Sequence, residues 1–291
     1  MRTRASCDVR FEWGAAGAAA LAPSSSCLVV VDVLSFSTSV TVAVEAGTRV
    51  YPCAWPAGPA AESADSAAES ADSAAGFARL HRAELAVGRR AVSAARPWSL
   101  SPAALRRAPF VPRLVLPSPN GSAICAAAAE SAGTGEAGGE GAVAAGRAGA
   151  GVDVGAVTVI AGCLRNAAAA GRFLRGSPGP VTVIAAGERW PDGSLRPALE
   201  DLLGAGAILS AFWDAVAARD AGAGIFSPEA EAARACFEAT ADVAAAVSGC
   251  ASGRELIEGG FGDDVAIAAE IGACPVVPVL ADSAFTAAPG Q

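Results

Sequence analysis

Short runs of β-branched residues and leucine punctuate the chain at 28–33, 49–53, 114–116, 157–161, 181–185 and 275–280, each ended by a polar residue or glycine. An unbroken run such as Val29-Val30-Val31 suits a strand covered on both faces, because alternation is needed only where one face meets water. Helical stretches lie between them, at about 37–45, 122–131, 164–174, 196–219, 228–247 and 263–271. Strands that alternate with helices predict βαβ units. The fold class that follows is α/β: three α/β/α layers around a mainly parallel or mixed sheet. One such unit spans 1–291, with a division into two lobes left open.

Two segments look like decoration on that unit. Residues 62–75 read Glu-Ser-Ala-Asp-Ser-Ala-Ala twice in succession, which predicts a low-complexity helical extension over 56–76. The repeat has no large apolar residues at heptad spacing, so a coiled coil is a poor reading. From 133 to 155 the chain is nearly all Gly, Ala and Glu, the composition of a surface insertion. No chemistry is placed in either.

Composition narrows the chemistry. Hydrophobic residues make up 53% of the chain, enough for a sizeable core, although alanine buries little area per residue. The formal charge of −8 argues against nucleic acid or an anionic membrane as partner, since both need a basic surface. No run approaches ~20 strongly apolar residues, so no transmembrane span is expected. The opening Met-Arg-Thr-Arg leads into no signal-like segment. The sequence holds one histidine, His81, and no lysine; all 21 basic residues are arginine. A Ser–His–Asp triad, a two-histidine metal site and a P-loop lysine are thereby excluded or made awkward. The eight cysteines form no Cys-x-x-Cys pair. They read as reduced core residues in a cytoplasmic protein.

Carboxylates, hydroxyls, arginine and backbone therefore remain for catalysis. Asp32 ends the run Val29–Val31, and Ser37, Thr38 and Ser39 open the next helix. In open parallel sheets ligands gather outside the carboxyl ends of strands, and helix N-termini attract anions. Asp32 thus suits a metal or a reacting phosphoryl group; an N-cap role is the plainer reading. Leu34 stands where a haloacid-dehalogenase-type phosphatase would want a second aspartate. Asn120-Gly121-Ser122 follows a strand, permits a φ > 0 turn and presents N–H groups to a cleft. Arg165 and Asn166 open another helix, and Arg165 offers bidentate anion recognition. Glu188 follows the strand at 181–185. Glu200-Asp201 and Asp263-Asp264 begin helices, where acids favour the dipole or supply the hard oxygen ligands that Mg²⁺ takes.

Taken in order, Val29–Ser39, Pro117–Ser122, Gly162–Ala167, Ala186–Glu188 with Leu199–Ile208, and Phe261–Glu270 resemble the 2-phosphosulfolactate phosphatase family. The resemblance implies an Mg²⁺-dependent phosphoric monoester hydrolase of coenzyme M biosynthesis, converting phosphosulfolactate to sulfolactate and phosphate. Asp32, Asn120, Gly121, Asn166, Glu200, Asp201 and Asp264 fall on the family's pattern. Ser35 departs from it, since relatives commonly carry arginine there, and this puts the substrate in question.

On that reading Asp32, Glu188 and Asp201 are catalytic. Ser37, Thr38, Asn120, Gly121, Ser122, Arg165 and Asn166 hold a small anionic phosphorylated substrate. Mg²⁺ sits among Asp32, Glu200, Asp201 and Asp264. Water and the Asp32 carboxylate both remain open as the attacking group. A non-catalytic anion-binding protein of the same fold and a phosphatase for a different phosphorylated acid stay open as alternatives, as does a homo-oligomer.

Overall fold

The computed structural model describes residues 8–54, 64–133, 157–217 and 225–290. The expected insertion at 133–155 and the first part of the extension at 56–76 lie outside the described residues. The elements run β1 (Val9–Trp13), α1 (Gly14–Leu21), β2 (Cys27–Val31), α2 (Phe36–Glu45), β3 (Arg49–Ala54), α3 (Ala64–His81), β4 (Glu84–Leu85), α4 (Pro102–Arg107), β5 (Arg113–Ser118) and α5 (Gly121–Gly133). They continue with β6 (Thr158–Gly162), α6 (Ala167–Leu174), β7 (Val181–Ala185), β8 (Glu188–Arg189), β9 (Leu195–Arg196), α7 (Leu199–Ala217), α8 (Pro228–Ala239), α9 (Val243–Gly249), α10 (Ala251–Glu258), α11 (Gly262–Ala268), β10 (Pro278–Ala281) and β11 (Ala284–Ala287).

Among the described residues the main sheet has the order β1-β7-β2-β6-β10-β11-β3-β5-β4. Its first four strands are parallel. β10 and β11 then form an antiparallel hairpin between β6 and β3, and β3, β5 and β4 are parallel among themselves. The sheet is therefore mixed. The apolar run of β2 is buried on both sides, as its lack of alternation predicts. Val29 and Val31 join a core under α6, α7 and α8, whereas Leu28 and Val30 join one under α1, α2 and α5. These are the three expected layers.

Alanine and glycine let the outer helices approach closely. A Cβ on Gly206 of α7 would lie 2.2 Å from the Ala233 carbonyl oxygen of α8, so only glycine fits that crossing. Helix α3 takes up the repeat from Ala64 and ends at His81, whose ring sits 4.4 Å from Tyr51 and 4.5 Å from Phe77.

Several expectations need correction. The stretch 228–247 is two helices, because Asp242 starts α9 by accepting from the Ala245 N–H. Residues 164–166 form a 3-10 turn before α6. The strands β1 and β11, and the helix α1, carried too weak a pattern to be read from sequence. Among the described residues no helix is long and apolar enough to cross a membrane, and the described cysteines are all free.

Candidate active site

β2 ends in the middle of the parallel quartet, and Asp32 follows it directly. The carboxylate is 6% exposed. Its Oδ1 accepts the Phe36 N–H at the start of α2 (2.9 Å), and Oδ2 accepts the Gly121 N–H at the start of α5 (3.0 Å). Two helix N-termini thus meet on one carboxylate. The contact is made although β5, which leads into α5, is five strand steps from β2 in the sheet and antiparallel to it. Gly121 is required by space: a Cβ there would lie 2.2 Å from Cδ1 of the buried Phe36. The expected φ > 0 turn at Asn120-Gly121 is absent.

Asp201, in the first turn of α7, ties two loops together. Its Oδ1 accepts the Val33 N–H (2.7 Å) and its Oδ2 the Gly187 N–H (2.8 Å), linking the turns after β2 and β7. Glu188 on β8 accepts from the Asn120 amide at 3.0 Å. Glu200 is 2% exposed, and its Oε2 accepts the Cys250 thiol at 3.2 Å. Burial next to this acid holds the Cys250 thiol up at about 12.

Burial and neighbouring acid charges raise three of these carboxyls. Burial raises Asp32 to about 6, against the pull of the Phe36 and Gly121 N–H groups and Arg89; the Glu200 charge adds to the rise. Burial, then Asp32 and Glu200, push Glu188 up to about 8. Burial and the charges of Asp32 and Glu200 hold Asp201 well above the usual carboxylate range. A cleft of about 550 Å³ opens beside this cluster, lined in part by Leu34, Arg89, Arg90, Glu188, Ser252 and Phe261. That volume suits a small ligand.

Residues 146–283 match the family model of 2-phosphosulpholactate phosphatase. The resemblance read from the sequence holds over that stretch, which is a little under half of the chain. No curated protein gives a significant match. The stretch that matches this phosphatase family contributes Glu188, Glu200, Asp201 and Asp264. Asp32, Arg89, Asn120 and Gly121 come from outside it; the fold brings Asn120 to Glu188 and Arg89 to Asp264, and Arg89 and Glu188 line the cleft together.

The remaining residues singled out in the sequence are placed as follows. Ser37 Oγ donates to the Val30 carbonyl (2.8 Å) and accepts the Asp32 N–H (3.1 Å). Thr38 Oγ1 donates to the Val33 carbonyl (2.8 Å). Both side chains are fully buried and staple the strand-to-helix turn instead of facing the cleft. Ser122 is buried, and its hydroxyl has no partner among the described residues.

Arg165 is not brought to the cluster. It pairs with Glu45 at the far end of α2 (3.1 Å) and with Glu270 (3.2 Å). Since α2 rises ~1.5 Å per residue, this end lies about a helix length from Asp32. Asn166 spends its side chain on the Cys163 N–H and the carbonyls of Ala161 and Val276. Cys163 is fully buried.

Asp264 is buried and held by three contacts, one of them an ion pair with Arg89. Oδ1 accepts the Ser101 hydroxyl and the Ala103 N–H, and Oδ2 accepts Arg89 Nε at 3.1 Å. Arg89 Nη2 in turn donates to Ser35 Oγ at 2.7 Å. A guanidinium therefore does stand at Ser35, supplied from fifty-four residues away in the chain. Sequence reasoning missed Arg89 and Cys250. The only local sign was Gly88-Arg89-Arg90, two arginines following a glycine.

Among the described residues no group of three or more His, Cys, Asp or Glu side chains is arranged to cage a metal. Mg²⁺ commonly needs only one or two carboxylates, with waters and substrate oxygens completing its shell. Glu200 fits that lesser demand, because its Oε1 has no hydrogen-bond partner among the described residues while Oε2 is fixed by Cys250. Asp201 retains unused lone pairs beside it. Asp264, locked to Arg89, does not fit as a ligand.

Proposed function

We propose that this protein hydrolyses a phosphate monoester of a small anionic acid with the help of Mg²⁺, 2-phosphosulfolactate being the substrate that the family's description suggests. The observation that carries the reading is the clustering of Asp32, Glu188, Glu200 and Asp201 beside a cleft that Glu188 and Arg89 line. Neighbouring acid charges add to the raised pKa of Asp32, Glu188 and Asp201, and a hard cation would relieve that repulsion. Glu200 and Asp201 are the residues that would hold the ion, which supplies charge neutralisation for the phosphoryl oxygens.

The chain's own groups divide the remaining work. Both Asp32 oxygens are pinned by N–H groups, so Asp32 orients an attacking water and accepts its proton in preference to attacking phosphorus itself. With a pKa of about 6, it is mostly ionised at neutral pH. Glu188, raised to about 8, is mostly protonated there. As the ester P–O bond breaks, Glu188 gives its proton to the departing oxygen and Asn120 keeps its carboxyl in place. Phosphate and a hydroxy acid are the products. A soluble cytoplasmic enzyme of coenzyme M biosynthesis is the setting that this activity would suit.

The test is phosphate release from 2-phosphosulfolactate, with Mg²⁺ and after EDTA. Asp32→Asn is expected to cut the rate by roughly 10²–10⁴, the usual worth of a positioned acid or base. Undiminished release by Asp32→Asn, or release indifferent to EDTA, overturns the reading.

A further inference from the structure

The cleft separates charge along its length. Acids gather at the ends of β2 and β7, whereas Arg89 and Arg90 approach from the segment before α4. Of the two, Arg89 is held in one orientation. Its Nε donates to Asp264 at 3.1 Å, and Nη2 donates to Ser35 at 2.7 Å. Asp264 is 1% exposed and is itself gripped by Ser101 and the Ala103 N–H. The Phe261 ring lies 5.9 Å from the Arg89 guanidinium and 5.6 Å from that of Arg90.

Two of the three Arg89 nitrogens are thus spent on holding the plane. Nη1 has no hydrogen-bond partner among the described residues, and the residue lines the cleft together with Glu188. A guanidinium fixed in this way presents a rigid planar donor edge, the match for a planar or tetrahedral oxyanion. The buried Asp264 offsets its charge, so its contribution is directional and not a general attraction for anions.

We propose that Arg89 is the specificity-determining residue of the cleft, donating through Nη1 to the second, non-phosphoryl anion of the substrate, a carboxylate or sulfonate. The assignment rests on the hydrolytic reading for the phosphoryl end alone. It makes a bare phosphate ester a poor ligand and an ester of a carboxylic or sulfonic acid a good one. Ser35 and Asp264 are positioning residues that act through Arg89.

The experiment compares 2-phospholactate with isopropyl phosphate, which has the same ester but lacks the carboxylate. Both are assayed by phosphate release and by calorimetric binding to the full chain. In Arg89→Gln the loss in kcat/KM and in affinity for 2-phospholactate is expected to exceed that for isopropyl phosphate by roughly ten- to hundredfold, the size of one charge-assisted contact. KM should carry most of it. Ser35→Ala should give a smaller loss of the same selectivity, because it frees Nη2 and loosens the plane. Equal losses for the two esters would place Arg89 on the phosphoryl group and overturn the proposal, as would no loss for either. If Arg89→Gln does not fold, Arg89→Lys keeps a charge without the fork and is read by the same ratio. Absence of phosphate release from both esters by the wild type would count against hydrolysis, and calorimetry would still decide the role of Arg89.

Discussion

Replacing Glu188 by Gln leaves the shape of the side chain, and its amide oxygen can still accept from Asn120, but the group no longer titrates. In the wild type, burial and the charges of Asp32 and Glu200 lift Glu188 from 4.5 to about 8. An acid whose folded pKa is raised adds full stability below its unfolded value and loses it as pH climbs toward the folded value. Each pH unit in that window costs about 1.4 kcal/mol, so pH 5 to 8 spans roughly 4 kcal/mol for a wholly desolvated group. Glu188 keeps some contact with the cleft, and screening discounts this to about 2 kcal/mol. Glu188→Gln should therefore be more stable than the wild type at pH 8 by about 2 kcal/mol, nearly equal to it at pH 5, and catalytically crippled. Urea unfolding of both proteins at pH 5 and pH 8 measures the difference. Parallel pH dependences would mean that Glu188 titrates as an ordinary glutamate, and its role as proton donor would fall with them.

Two further substitutions probe the frame of the site. Gly121→Ala sets a methyl 2.2 Å from Phe36 Cδ1 and should lower stability by about 1–3 kcal/mol, the cost of overpacking; an unchanged melting temperature would show that Phe36 yields freely. Arg165→Gln breaks its pairs with Glu45 and Glu270, which are 36% and 35% exposed, and should cost about 1–2 kcal/mol in thermal unfolding while leaving KM alone. A raised KM would return Arg165 to the substrate.

The elements that sequence predicted well are those whose pattern is local. Val29-Val30-Val31 reads as a strand buried on both faces because nothing polar interrupts it, and β7 was placed residue for residue. Glu200-Asp201 reads as a helix start because acids favour that end of the dipole. By contrast the run 228–247 read as one helix, since a break at Asp242 depends on a single cap among helix-forming alanines.

Hydroxyls and charges were harder to read, because each has several satisfactory partners and only the fold chooses among them. Ser37 and Thr38 sit at a helix start whether they bind an anion or the turn's own carbonyls, and they bind the carbonyls. Arg165 offers the same guanidinium to a substrate as to Glu45 and Glu270. The strand-end position of Asp32, the acids of α7 and the two-sided core were determined by sequence alone, through hydrophobic pattern and chain punctuation acting over a few residues. The N–H of Gly121 on Asp32, the place of Arg89 at Ser35 and the locking of Asp264 were decided only by the tertiary structure. Their partners stand 54 to 175 residues apart, and the order of the strands in the main sheet, which no local pattern encodes, sets which of them come within hydrogen-bonding reach.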